Sequence, residues 1–232
     1  LAVAATYQPN PCDIQDVAGR LDEKYGRKRW HAHHSPLDEL VATILSQHTS
    51  DSNTANAFAS LKSRFGDWDA VRTAPTAEVE AAIRTGGLAA VKAPRIQGIL
   101  NQIDDEHESL DLEFLRTMPI DDAREWLLAL HGVGPKTAAC VLLFSLGKPA
   151  LPVDTHVHRV SLRLGLIGTN VTAEAAHVKL ESLLSDNRDV VYSFHLNAIA
   201  HGRSVCKARN PRCNQCLLQE RCSYVHQREH DD

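Results

Sequence analysis

An apolar repeat with a period of about 3.6 residues recurs along the chain and is cut at short intervals by glycine and proline. Leu37, Leu40, Val41, Ile44 and Leu45 fall at i, i+3, i+4, i+7 and i+8, the buried stripe of an amphipathic helix. Ser35 stands where a cap belongs, Pro36 takes the first helical position, where its missing N–H costs nothing, and Asp38 completes a box-like start. The same spacing returns in Phe58, Leu61 and Phe65, in Ile96, Ile99, Leu100 and Ile103, in Trp126, Leu127 and Leu130, and in Ala176, Leu180, Leu183 and Leu184. Turn signals at Gly66, Gly86-Gly87, Gly132 to Pro135, Gly147 to Pro149 and Gly165 to Thr169 leave roughly eight to ten short helices. No segment alternates as a strand would, so the chain reads as all-α. At 232 residues and 43% hydrophobic it can bury one large core or two modest ones. The composition shifts near Gly147 to Pro152, a crossing between two helical bodies.

No apolar run reaches the roughly 18 residues of a membrane span. The start at Leu1 carries no basic region followed by an apolar stretch, so no secretion signal is read and a soluble, intracellular protein is expected. Six cysteines are too dilute for a disulfide scaffold. Cys12 and Cys140 stand alone, Cys140 reading as a small buried hydrophobe. The other four form a CX6CX2CX5C loop, Cys206, Cys213, Cys216 and Cys222. Four soft ligands in one loop suit zinc or an iron-sulfur cluster, and a single CX2C hook flanked by wider arms leans towards the cluster. The net charge of −4 disfavours a nucleic-acid partner only until it is located. Residues 101–130 hold nine acids and two arginines, leaving the remainder positive, while residues 203–228 hold six cations against Glu220. Such a basic patch beside the cysteines is suited to phosphate.

Two further motifs carry chemistry. In Leu130-His131-Gly132-Val133-Gly134-Pro135-Lys136-Thr137-Ala138, two glycines permit a sharp turn and close backbone approach, and the helix that starts at Pro135 offers free amides to an anion. Lys136 falls in its first turn, where the helix dipole disfavours an ammonium and favours a neutral, nucleophilic amine. Eighteen residues later stands Asp154, in Pro152-Val153-Asp154-Thr155-His156-Val157-His158-Arg159. If extended, Asp154, His156 and His158 share a face and could grip a metal. If Asp154 caps a helix, Val157, Val160 and Leu164 form its stripe and the histidines diverge by about 200°. The stripe, and the lack of any partner strand, favour the helix.

Together the GVGxKTA hairpin, the VDTHVxR segment and the CX6CX2CX5C loop resemble the endonuclease III family of helix-hairpin-helix DNA glycosylases, over roughly residues 30–226. The resemblance implies a six-helix barrel domain with the helix-hairpin-helix at 30–148, and an iron-sulfur cluster domain formed by 1–29 and 149–232, with a DNA-binding cleft between them. It implies one [4Fe-4S] cluster on Cys206, Cys213, Cys216 and Cys222. It implies Lys136 as the nucleophile that attacks C1′ of a damaged nucleoside and Asp154 as its carboxylate partner, giving a base-excision-repair glycosylase that is also a β-elimination lyase on oxidised pyrimidines. The nucleotide must first be flipped from the duplex. By position His48 fills the gap left behind, with Gln47 beside it. Leu88 resembles an apolar wedge entering from the opposite side, although Ala89 replaces the aromatic that often follows. The amides of Gly132 and Gly134, with Lys207, Arg209 and Arg212, would hold DNA phosphates. The expected partner is double-stranded DNA with damaged bases or abasic sites. The protein is expected to be monomeric, cytoplasmic, and nucleoid-associated in a bacterium. The alternatives are a monofunctional glycosylase, against which Lys136 argues, and a non-catalytic iron-sulfur module that scans DNA for damage.

Overall fold

The computed structural model describes residues 13–231, so Cys12 and most of the segment preceding the first helix lie outside the described residues. Twelve α-helices occur among the described residues: α1 (Ile14–Tyr25), α2 (Pro36–Ser46), α3 (Asp51–Phe65), α4 (Trp68–Thr73), α5 (Thr76–Ile83), α6 (Ala89–His107), α7 (Ile120–Ala129), α8 (Pro135–Cys140), α9 (Thr155–Leu164), α10 (Ala173–Leu183), α11 (Arg188–Ser204) and α12 (Ser223–Asp231). No strand occurs among them. The periodicity alone finds fewer, because α4 and α8 span only six residues each, too short to show a repeat. None of the helices is long and apolar enough to cross a membrane.

Many of these helices begin on a side chain that satisfies the amides left free at a helix start. Ser35 caps α2 by accepting from the Asp38 amide. Asp38 does not close the reciprocal box: its Oδ1 instead accepts from Trp68 Nε1 at 2.8 Å and Lys62 Nζ at 3.2 Å, tying α2 to α4 and α3. Asp154 caps α9 through the amides of His156 (2.9 Å) and Val157 (2.8 Å).

The chain divides into two compact units, one of residues 31–150 and one formed by both terminal segments, 1–30 and 151–232. In the first, the stripe of α2 (Leu37, Leu40, Val41, Ile44 and Leu45) is buried with Ile96, Leu100 and Ile103 of α6, Leu127 of α7 and the apolar face of α8. Cys140 lies in that core, as its neighbours predict. Helix α8 continues without a break into a π turn over Val141–Ser145, all five residues buried.

In the second unit α1 and α11 are joined by buried polar groups. Asp22 Oδ1 accepts from the Ser193 hydroxyl at 2.6 Å and from Asn197 Nδ2 at 2.9 Å. Val157, Val160 and Leu164 of α9 are all buried. A helical segment 155–164 with Asp154 as its cap is thus what forms. The histidines part accordingly, His156 Nδ1 meeting Arg159 at 3.1 Å and His158 Nε2 meeting the Val171 carbonyl at 2.8 Å.

Candidate functional site

In the 31–150 unit, the chain leaves α7 at Leu130 and turns back through Gly132, whose φ of +83° is open to glycine at little cost. Gly132 is exposed, Gly134 precedes α8 in extended conformation, and Pro135 and Lys136 form the first turn. Lys136 is half-buried. It stands directly after the exposed turn, within electrostatic reach of α2.

Sequence reading missed Glu39. It lies on α2 just beside the apolar stripe, is only 8% exposed, and accepts from the Thr43 hydroxyl at 3.4 Å. Burial raises its carboxyl to about 7; the Thr43 hydrogen bond and the charge of Lys136 draw it back only in part. The available signal was an acid placed between Leu37, Leu40 and Val41 of the apolar stripe.

The candidate DNA-contact residues of this unit surround α6. Leu88 is 54% exposed, in left-handed conformation at φ +50°, immediately before α6. Val91, one turn on, is also exposed. Lys92 is instead fully buried and donates to the carbonyls of Leu45 (2.6 Å) and Gly86 (2.8 Å), pinning the end of α2 to the turn that carries Leu88. Gln47 is half-buried and His48 is exposed, with φ +56°.

In the other unit all four cysteines of the loop line one cavity, together with Val160, Leu164, Val205 and His201. No three His, Cys, Asp or Glu side chains among the described residues form a group that would hold a single metal ion. Four thiols around a shared cavity are the ligand set of an iron-sulfur cluster. Burial pushes the Cys216 thiol up to about 11, and raises Cys222 too, with the neighbouring thiols adding repulsion. A positively charged iron-sulfur core relieves both effects.

The surroundings of the thiols hold donors that the sequence alone did not reveal. Arg163 reaches Cys206 Sγ at 3.4 Å and fastens the first arm of the loop through the carbonyls of Lys207 (2.7 Å) and Ala208 (3.1 Å). His201 is buried, held to Tyr25 Oη at 3.1 Å and to Cys216 Sγ at 3.6 Å. Its own burial, with the charge of Lys24, lowers it to about 4, so it is neutral at pH 7 and can donate only one ring N–H. Such contacts orient ligands and tune them. Arg209 and Arg212 are exposed on this loop, while Lys207 is half-buried.

Residues 41–186 match the HhH-GPD superfamily of base excision DNA repair proteins, and residues 206–222 match the iron-sulfur binding domain of endonuclease III. The chain belongs to the endonuclease III family. It is 33% identical to the endonuclease III of Thermotoga maritima over 93% of this chain and 94% of that one. It is 41% identical, over 75% of its length, to an Arabidopsis thaliana protein provisionally named a DNA glycosylase. The chain spans 59% of that plant protein and between 9% and 12% of three longer plant relatives. Among solved structures, a trapped endonuclease III–DNA covalent intermediate superposes with a TM-score of 0.79 at 27% identity, covering 96% of this chain and 100% of that one. As in endonuclease III, the C-terminal loop carries a [4Fe-4S] cluster.

Proposed function

We propose that this endonuclease III family member is a bifunctional DNA glycosylase and abasic-site lyase that removes oxidised pyrimidines from duplex DNA. The observation that carries the proposal is the placement of Lys136, half-buried in the first turn of α8 directly after an exposed glycine turn. Residues 30–148 serve as the barrel domain, and 1–29 with 149–232 as the cluster domain. The protein acts as a monomer.

The chemistry assigns one task to each residue. The amides of Gly132 and Gly134 take a backbone phosphate, and Leu88 with His48 or Gln47 replaces the displaced base in the stack. The Lys136 amine bonds to C1′ while the base departs with the electron pair of its glycosidic bond. Asp154 stabilises the positive charge that grows on the sugar and takes the proton that the amine gives up. The ring opens to an imine, which acidifies the C2′ proton; loss of that proton expels the 3′ phosphate and cuts the strand. Cys206, Cys213, Cys216 and Cys222 hold the cluster, which when bound crosslinks the loop through thiolate bonds. That fixes Lys207, Arg209 and Arg212 as a cationic surface for the phosphates.

Borohydride reduction of a reacting mixture tests this, because it converts the imine to a stable adduct. The wild-type protein should be trapped on duplexes containing an abasic site or thymine glycol, and Lys136→Gln should abolish trapping. Base release without any adduct would make the enzyme monofunctional. Trapping on a 5-methylcytosine duplex, and not on thymine glycol, would replace the substrate class and leave the nucleophile in place.

A further inference from the structure

Arg95 lies one turn after Lys92 on α6 and makes two contacts that the catalytic scheme above does not use. Its Nη1 donates to Gln47 Oε1 at 3.1 Å. Its stem and guanidinium also lie against the hairpin: a Cβ added to Gly132 would come within 2.7 Å of Arg95 Nε and 2.8 Å of its Cδ. One planar side chain therefore touches both the loop that ends α2 and the turn assigned to phosphate. The end of α2 is held twice, its Leu45 carbonyl by Lys92 and its Gln47 side chain by Arg95. Next to Gln47, His48 is exposed in the left-handed region, a strained conformation for a residue other than glycine.

We propose that Arg95 is a positioning residue that couples the glycine hairpin to the gap-filling loop, holding Gln47 in place so that His48 is the side chain presented to the duplex. This rests on the reading of the protein as a base-flipping enzyme, and it decides between the two candidate gap-fillers. The physical basis is geometric. Gln47 leaves α2 in extended conformation with its side chain already bonded to the Arg95 fork, while His48, turned into the left-handed region, is the exposed one of the two and so the one available to the gap. Because the same guanidinium lies against Gly132, displacement of the hairpin by a bound phosphate is transmitted to residue 47 through one side chain.

The experiment uses the full chain and a duplex carrying a tetrahydrofuran abasic analogue opposite 2-aminopurine, whose fluorescence reports disturbance of the stack. Arg95→Met should bind undamaged duplex within twofold of wild type, yet lose at least half of the fluorescence change and at least tenfold in the single-turnover rate of borohydride trapping on an abasic duplex. Arg95→Met combined with His48→Ala should be no slower than His48→Ala alone, since one acts through the other. Gln47→Ala, which cuts the same hydrogen bond from its acceptor end, should lower the fluorescence change in the same direction and likewise add nothing to His48→Ala, and it serves if Arg95→Met folds poorly. Losses that multiply in the double variants would overturn the coupling. So would an Arg95→Met protein that weakens on every duplex alike with a flatter salt dependence, which would make Arg95 a direct phosphate contact. A wild-type protein that is never trapped removes the lyase reading, while the fluorescence measurement still judges Arg95.

Discussion

Glu39 carries an ionisable group into the buried face of α2, and that has a thermodynamic signature. Its native value of about 7 lies above the ordinary carboxyl value near 4.5. Below about pH 4.5 both the folded and unfolded chains hold the proton and Glu39 contributes nothing. Between there and pH 7 the unfolded chain ionises first, so stability falls as pH rises, and above pH 7 the cost is constant at about 3 kcal/mol. Glu39→Gln keeps the shape and an acceptor for Thr43 but cannot ionise. It should therefore be more stable than wild type by up to about 3 kcal/mol at pH 8, with the gap closing near pH 4.5. Urea unfolding at several pH values reads this directly; a gap that ignores pH would mean that Glu39 is not buried as an acid. Retention of a destabilising carboxyl within the electrostatic reach of Lys136 is the pattern expected where stability has been yielded to chemistry.

At the scale of one element, α9 shows how a structural role and a chemical role can be separated on one carboxylate. Asp154 accepts two amides at the helix start, so its removal must destabilise α9 whatever else it does. Asparagine caps nearly as well as aspartate, whereas alanine costs about 1–2 kcal/mol. Asp154→Asn should thus unfold within about 0.5 kcal/mol of wild type, and Asp154→Ala should lose about 1–2 kcal/mol. Both should slow base release by about a hundredfold or more, because neither can take a proton or stabilise a cation. Base release that tracks stability across the pair would reduce Asp154 to a cap. This cap was legible in the sequence because its determinants are local: a carboxylate, three residues to the first buried valine, and a stripe at helical spacing. Ser35 and the cysteine spacing were legible for the same reason. Lys92, Arg95, Arg163 and His201 were not. Each acts on a backbone or side chain far along the sequence, as Lys92 does on Leu45 and Arg163 on Lys207, and nothing in a one-dimensional pattern distinguishes a buried lysine from a solvated one. Asp38 was misjudged on similar grounds, since a cap-box partner was expected and the distant Trp68 and Lys62 took its oxygen instead.

At the scale of the whole molecule, the net charge of −4 is a poor guide to its partner because the charges of the two signs are segregated along the chain. Opposite charges that are separated by more than about 10 Å at 0.1 M salt scarcely screen one another's partners, so a polyanion responds to the local patch and not to the sum. The patch in question sits on the cysteine loop, where Arg209 and Arg212 are exposed and the backbone between them and Cys206 is held by Arg163. Phosphate contacts of this kind add affinity without reading sequence or damage, each one steepening the logarithmic dependence of affinity on salt by about 0.9. Replacing Arg209 and Arg212 together with alanine should flatten that slope by about 2 and weaken undamaged and lesion-bearing duplexes by the same factor. The ratio of the two affinities should stay as it was, and the rate of the trapped step at saturating DNA should be unchanged. Titrations of both duplexes at four salt concentrations decide the point: a changed ratio would show that these arginines sense the lesion, and an unchanged slope would show that DNA does not reach the loop.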